Sequence, residues 1–406
     1  MTHQATPNER PTINDIFRTY GPAYLAKYQD RMSADQIKAV KAIMSCRTSQ
    51  LGFVVYRCQH CGNIHQVPKS CGNRHCPTCQ GSKAKAWLQE QLERTLPCAY
   101  FMITFTVPQE FRRFVRSHPR ECYKALFKAA YGTLVQLAKG NKHVGSSKLG
   151  ATGVLHTWGR DLSYHPHVHF LVPGGAISED GNAWLSSRSD FFVPIYAASK
   201  IFRAKYRDLM ERSGLLDKIP SSVWEKAWLV NSQAVGDGRG ALRYLAPYVF
   251  RVAIGNHRII RVTEGPDRKG IVTFSYKPSG TKRYKTMTVA AEEFLRRFLQ
   301  HVLPSGFQKV RHFGFQHKRA KTNWEWLSML VTVTLNMVYT LTVSMRPVQA
   351  KRSLICPDCG GELICLGVAD GAAVPHSAFD SSYNLPRRPK RVKCIHTSNS
   401  RLINHP

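Results

Sequence analysis

Three histidines recur at every second position in His165-Pro166-His167-Val168-His169, and the apolar run Phe170-Leu171-Val172 follows them. In an extended strand alternate side chains share a face, so the imidazoles project together while Val168, Phe170 and Val172 enter a core. Two imidazoles two residues apart can grip one divalent ion. His167 and His169 adjoin the run that anchors the strand, whereas Pro166 puts His165 at the strand entrance. A third ligand is needed, and His165, His156 and Asp161 are the candidates; the sequence does not choose among them. A polar sheet face is the plainer alternative, but it does not require three imidazoles at period two.

Tyr244 and Tyr248 stand four residues apart and share a face if residues 242–253 are helical. Pro247 between them marks a helix start or a kink. Alone, such a pair reads as a half-buried aromatic stripe. Beside a metal it reads as nucleophiles. A phenol of pKa about 10 attacks poorly at neutral pH, but a positioned oxygen suffices when a metal polarises the phosphate.

Cys58-x-x-Cys61 and Cys76-x-x-Cys79 are paired thiolate knuckles fourteen residues apart, suited to one shared tetrahedral Zn²⁺. His60 within the first knuckle, and His65, Cys71 and His75 between the two, leave another ligand set open. A redox dithiol would need only one such motif beside a thioredoxin-like pattern, which is not present. A closed thiolate site organises the fold and is expected to present Arg74, Lys83 and Lys85 to DNA. Cys356-x-x-Cys359 with Cys365 and Cys394 suggests a second ribbon, with free thiols as the alternative.

These residues must be held by a sizeable fold. The chain has 406 residues, 58 Lys+Arg and 26 Asp+Glu, a formal charge of +32, with 43% hydrophobic residues. That length suggests two or three domains, and a broad cationic surface on a folded body points to nucleic acid rather than a small acidic substrate. The N-terminal stretch lacks a secretion pattern, so a reducing cytoplasm is expected. Residues 326–345 are uncharged but carry seven Ser, Thr and Asn side chains, and read as a buried helix or strand pair, not a membrane span.

The order of elements predicts an α+β fold with helices against an antiparallel sheet. Residues 1–96 read as a helical lead-in plus zinc-binding head, 97–345 as the catalytic domain, and 346–406 as a Cys-rich and basic tail. The runs YFMITFTV, TGVLHTW and HPHVHFLVPGG read as strands; ECYKALFKAAYGTLVQLAKG and SKIFRAKYRDLMERSGLL read as helices. The second of these helices is basic, and its Arg203 and Lys205 are candidate phosphate contacts.

HPHVHFLV, the YLAPY pair and the cysteine-rich head together resemble the two-tyrosine rolling-circle transposases of the Insertion Sequence 91 family, in the HUH endonuclease superfamily. The similarity runs from about Phe17 to Arg319, and VLHTWGRDLSYHPHVHFLVPGGAI and VRHFGF match the family's wording closely. The resemblance implies an HUH nuclease core, His167 and His169 as metal ligands, Tyr244 and Tyr248 as nucleophiles, and the knuckles as a zinc-binding head. It implies Mg²⁺ or Mn²⁺ as the catalytic ion and single-stranded DNA at element termini, with target DNA, as partners in a nucleoid-associated setting. A plasmid replication initiator or relaxase would use the same chemistry, and a zinc-containing DNA-binding regulator would use none of it. A small-molecule metallohydrolase would leave the charge and the tyrosines without a purpose.

Overall fold

The computed structural model describes residues 10–79, 81–140, 142–250, 253–264, 270–278, 280–281, 283–337 and 354–370. Five extended segments with alternating apolar residues form its central sheet: β3 (Tyr100–Thr106), β4 (Ala151–Trp158), β5 (Tyr164–Pro173), β8 (Leu229–Ala234) and β12 (Val310–Phe313). Their order is β12-β4-β5-β3-β8, and every pair is antiparallel. Alternation gives the sheet two faces. Phe101, Ile103, Phe105, Val168, Phe170 and Val172 pack under α5 (Pro119–Ala138) and α6 (Ile195–Arg212) through Phe127, Phe202 and Tyr206. Each such buried side chain contributes about 1.5–3 kcal/mol over leaving it in water. The opposite face sets Tyr100, Met102, Val154 and Leu171 against α3 (Gly81–Glu93) and α7 (Arg239–Phe250), through Leu242, Leu245 and Val249. The short α4 (Arg112–Ser117) precedes α5, and a two-stranded ribbon of β6 (Gly175–Ile177) and β7 (Trp184–Ser186) follows β5. The fold is α+β, as the order of elements predicts.

A second body joins the two sides of the boundary expected at residue 96. The helices α1 (Ile13–Tyr28) and α2 (Ala34–Ser45) start at capping boxes, Thr12 with Asp15 and Ser33 with Gln36. They bury Phe17 and Ile43 with Val272, Phe274, Phe294 and Phe298. The latter come from a sheet of β9 (Ile259–Glu264), β10 (Gly270–Tyr276) and β11 (Lys285–Ala290), and from α8 (Ala291–Leu299). Phe17 meets Phe298 edge to face at 5.1 Å.

The cysteine-rich head contains two strands, β1 (Phe53–Cys58) and β2 (Ile64–Pro68). They form one sheet with β13 (Leu354–Ile355) and β14 (Glu362–Ala369), in the order β13-β14-β1-β2. The segment expected to be a separate C-terminal ribbon thus lies against the head. Within residues 326–345, α9 (Trp324–Thr334) buries Leu327 and Val331 against Trp184 and Phe315; residues 338–345 lie outside the described residues. Among the described residues no helix is long and apolar enough to cross a membrane.

Candidate active site and metal centres

The register of β4 against β5 builds the site. His156 is the partner of His167, and Val154 of His169, so all three imidazoles face α7 from adjacent strands. The register then slips: Trp158 pairs with Tyr164, which leaves Thr157 opposite both His165 and Pro166. Proline donates no ladder hydrogen bond, and the extra residue forms a bulge that breaks the period-two alternation. His165 therefore supplies its carbonyl, which accepts from His167 Nδ1 at 2.7 Å. The three ring nitrogens within 4.8 Å of one another are those of His156, His167 and His169. His156, and not His165, is thus the candidate third ligand that the fold brings to His167 and His169. Asp161 is committed elsewhere, accepting from Ser163 N at 3.1 Å and Ser163 Oγ at 2.7 Å.

These imidazoles suit a divalent ion. His167 and His169 present their Nε2 atoms 3.1 Å apart. Two neighbouring ligands on an octahedral ion at about 2.1 Å stand about 3.0 Å apart. His169 Nδ1 shares a hydrogen bond of 2.8 Å with Thr104 Oγ1, which, like the His165 carbonyl on His167, orients a ring from behind. His156 Nε2 is buried with no hydrogen-bond partner, an orphaned atom that a metal would satisfy. Burial, with the neighbouring imidazoles, pushes His156 and His167 well below the ordinary histidine range and His169 down to about 4. The rings are held neutral, as ligation requires.

The tyrosines lie on α7, above this face. Pro247 neither starts nor ends the helix but sits on its exposed side, while Leu242, Leu245, Ala246 and Val249 are buried. Tyr248 packs its ring 5.4 Å from His156 and 6.0 Å from Trp158. Tyr244 stands 5.5 Å from Tyr248 and is half-exposed. Burial and the adjacent Tyr248 raise the pKa of Tyr244.

Lys309 and Trp158 were not legible as site residues. Lys309 Nζ lies 4.4 Å over the Trp158 ring and donates to the Tyr248 carbonyl at 2.5 Å. Burial, reinforced by Arg74, pushes its pKa well down. Lys309 immediately precedes VRHF, the strand β12, and only pairing with β4 brings it here. From Trp158 a cavity of about 950 Å³ extends past Arg74, Lys83, Lys309, Arg311 and Arg319, with no carboxylate in its lining among the described residues. Arg74 and Lys83 thus line this cavity, and Arg74 also donates to the Phe307 carbonyl at 2.7 Å. Lys85 is exposed on α3. Arg203 and Lys205 are not brought here. They lie on α6, across the sheet from the histidines, where Arg203 donates to the Trp224 carbonyl at 2.8 Å and Lys205 runs beside Gly132 of α5.

The two knuckles are not brought together. Cys76 and Cys79 converge with Cys46 and Cys71, whereas Cys58 and Cys61 converge with Cys356 and Cys359. The hairpin of β1 and β2 carries the first knuckle away from the second and onto β14. In the first group Cys46 Sγ is 3.2 Å and Cys71 Sγ 3.6 Å from Cys79 Sγ, near the ~3.8 Å edge of a tetrahedral zinc–thiolate site with ~2.3 Å bonds. Asn14 Nδ2 donates to Cys76 Sγ at 3.7 Å, tying that group into the core beneath Trp158. Cys365 is in neither group, and Cys394 lies outside the described residues.

A tyrosine pair over clustered imidazoles, beside a basic cavity and a thiolate-rich head, defines a class that the comparisons identify. Residues 16–107 match the family described as "Transposase zinc-binding domain", and residues 150–323 the family described as "Putative transposase". The chain belongs to the Insertion Sequence 91 family of transposases. It is 32% identical over 402 residues to "Putative transposase y4qJ" of Sinorhizobium fredii (strain NBRC 101917 / NGR234), covering 92% of this chain and 99% of that one. It is 26% identical over 309 residues to "Transposase for insertion sequence element IS801" of Pseudomonas savastanoi pv. phaseolicola, covering 70% of this chain and 71% of the other. No solved structure matches the chain.

Proposed function

We propose that this transposase cleaves and rejoins single-stranded DNA at the ends of an insertion sequence through 5′-phosphotyrosine links, by HUH-type chemistry. The packing of Tyr248 against His156 of the three-imidazole cluster carries the reading. His156, His167 and His169 would hold the ion; an all-nitrogen set leans toward Mn²⁺ over the harder Mg²⁺. Bound there, the metal supplies Lewis-acid polarisation of the scissile phosphate.

Tyr248, nearer the cluster, attacks first. Its phenolic oxygen forms a bond to phosphorus as the bond from phosphorus to the 3′ oxygen breaks. The phenol gives up its proton, and the departing oxygen takes one up to become a 3′-OH. The phosphodiester energy is kept in the tyrosyl link, so the reverse attack by a 3′-OH rejoins strands without ATP. Tyr244, one turn back and more open, takes a second strand while the first remains attached. Lys309 places an amino group at the Tyr248 end, and the basic cavity leads the phosphate backbone toward Arg74 and Lys83. Lys85 adds to the same track. Target DNA and a nucleoid setting follow from the same reading.

The test is incubation of the full chain with end-labelled single-stranded oligonucleotides from the element termini, with Mn²⁺ or Mg²⁺ and then with EDTA. An SDS-stable protein–DNA adduct should form with metal, disappear with EDTA, and be absent from the Tyr244→Phe, Tyr248→Phe double variant. Binding to every terminal sequence without any adduct would overturn the reading in favour of a DNA-binding regulator.

A further inference from the structure

Cys58-Gln-His-Cys61-Gly62 and Cys356-Pro-Asp-Cys359-Gly360 fold into the same local structure, although Cys61 and Cys356 are 295 residues apart. In each, the glycine after the second cysteine has φ near +75°, a conformation that a side chain disfavours. In each, that glycine N–H donates to the first cysteine's carbonyl, at 3.1 Å for Gly62 and 2.9 Å for Gly360. The first cysteine N–H in turn donates five residues ahead, Cys58 to Asn63 at 2.9 Å and Cys356 to Gly361 at 2.7 Å. Each knuckle is the tip of a hairpin, β1 with β2 and β13 with β14, and the hairpins join through β1 and β14 with Cys58 opposite Leu363. Backbone N–H groups of His60 and Cys61 point at Cys58 Sγ at 3.4 and 3.5 Å, the arrangement that stabilises a thiolate.

The four sulfurs meet at the joint. All lie within 4.8 Å of one another, with Cys58 to Cys359 at 3.4 Å and Cys61 to Cys356 at 3.8 Å. Gly361 makes the approach feasible, because a Cβ there would fall 2.6 Å from His60 Cβ and 3.1 Å from Cys58 Sγ. Little apolar burial holds this four-stranded sheet together: β1 buries Val55, but among the described residues no buried apolar cluster contains a residue of β1, β2, β13 or β14. A small sheet without a core needs a staple.

We propose that Cys58, Cys61, Cys356 and Cys359 bind a second structural Zn²⁺, distinct from the one at Cys46, Cys71, Cys76 and Cys79, and that this ion fastens the C-terminal hairpin to the N-terminal head. His65 Nε2, 3.2 Å from Cys356 Sγ, donates a hydrogen bond to that thiolate from outside the ligand set. Asn63 Nδ2, bonded to Asp358 Oδ2 at 2.7 Å, links the knuckles beside the ion.

The full-length protein, purified under reducing conditions in a His156→Ala, His169→Ala background that silences the imidazole cluster, is assayed for zinc per chain by plasma mass spectrometry. Two equivalents are expected. Cys356→Ser, Cys359→Ser should lose one, Cys71→Ser, Cys76→Ser should lose the other, and His65→Ala should lose none. Replacing zinc by Co²⁺ gives a second readout that does not depend on variants: two tetrahedral tetrathiolate spectra, saturating at two equivalents. A single equivalent in the parent, a Cys356→Ser, Cys359→Ser variant with an unchanged count, or loss of an equivalent in His65→Ala would each overturn the assignment. None of these measurements depends on DNA cleavage, so the zinc assignment and the cleavage reading fail separately.

Discussion

Of the residues in the candidate metal site, His167 and His169 were legible in the sequence because their spacing alone sets them on one face of a strand. His156 was a candidate with nothing to single it out. It joins them only through the β4–β5 register, eleven residues away along the chain, and His165 drops out because Pro166 lies in a bulge. The proposed ligand set therefore predicts unequal effects of two histidine substitutions. His156→Ala should weaken Mn²⁺ binding by at least the roughly 10–100-fold that loss of even an outer partner costs. His165→Ala keeps the carbonyl that orients His167 and should change affinity little. Titration calorimetry on both variants checks this; equal losses would return His165 to the site. Lys309 carried no signal of its own, since a lysine before a short strand is ordinarily a solvated charge.

At the scale of elements, strands and helices with a clear period were readable, from YFMITFTV in β3 to the helix through the tyrosines. The head was not, because β1 and β2 bury little and the other neighbour of β1, the strand β14, lies far downstream. Paired knuckles close in sequence suggested one ion for the same reason: the eye pairs neighbours, whereas the hairpin points them apart. The edge strand β12 decides where Lys309 and Arg311 stand, and its far end is fixed by Gly314. That residue has φ +55°, and a Cβ on it would lie 1.6 Å from the Leu149 carbonyl oxygen and 2.8 Å from Tyr131 Oη. Gly314→Ala must move β12 away from β4, and it should cost about 3 kcal/mol or more. Urea unfolding checks the loss; an unchanged midpoint would mean that the strand end is not seated as described.

For the whole molecule, the +32 charge surrounds a core that excludes charge. His301, 1% exposed, holds Thr157 Oγ1 at 3.2 Å and is pushed down to about 3, chiefly by burial. The folded chain keeps it neutral, while the unfolded chain protonates it near pH 6.5. Its contribution is thus intact above about pH 6.5 and is lost as pH falls toward 3, at up to about 1.4 kcal/mol per pH unit. His301→Gln should be less stable than the parent at pH 7 yet lose less on acidification to pH 4. Denaturant titrations across that range check it, and parallel curves would refute it. The pairing of β1 with β14 has a temporal consequence as well. A ribosome adds ~5–20 residues per second, so β1 emerges on the order of 15–60 s before its neighbour, roughly 300 residues later, is made. Until then the head is an open edge, and a nascent or prematurely terminated transposase has no finished sheet there.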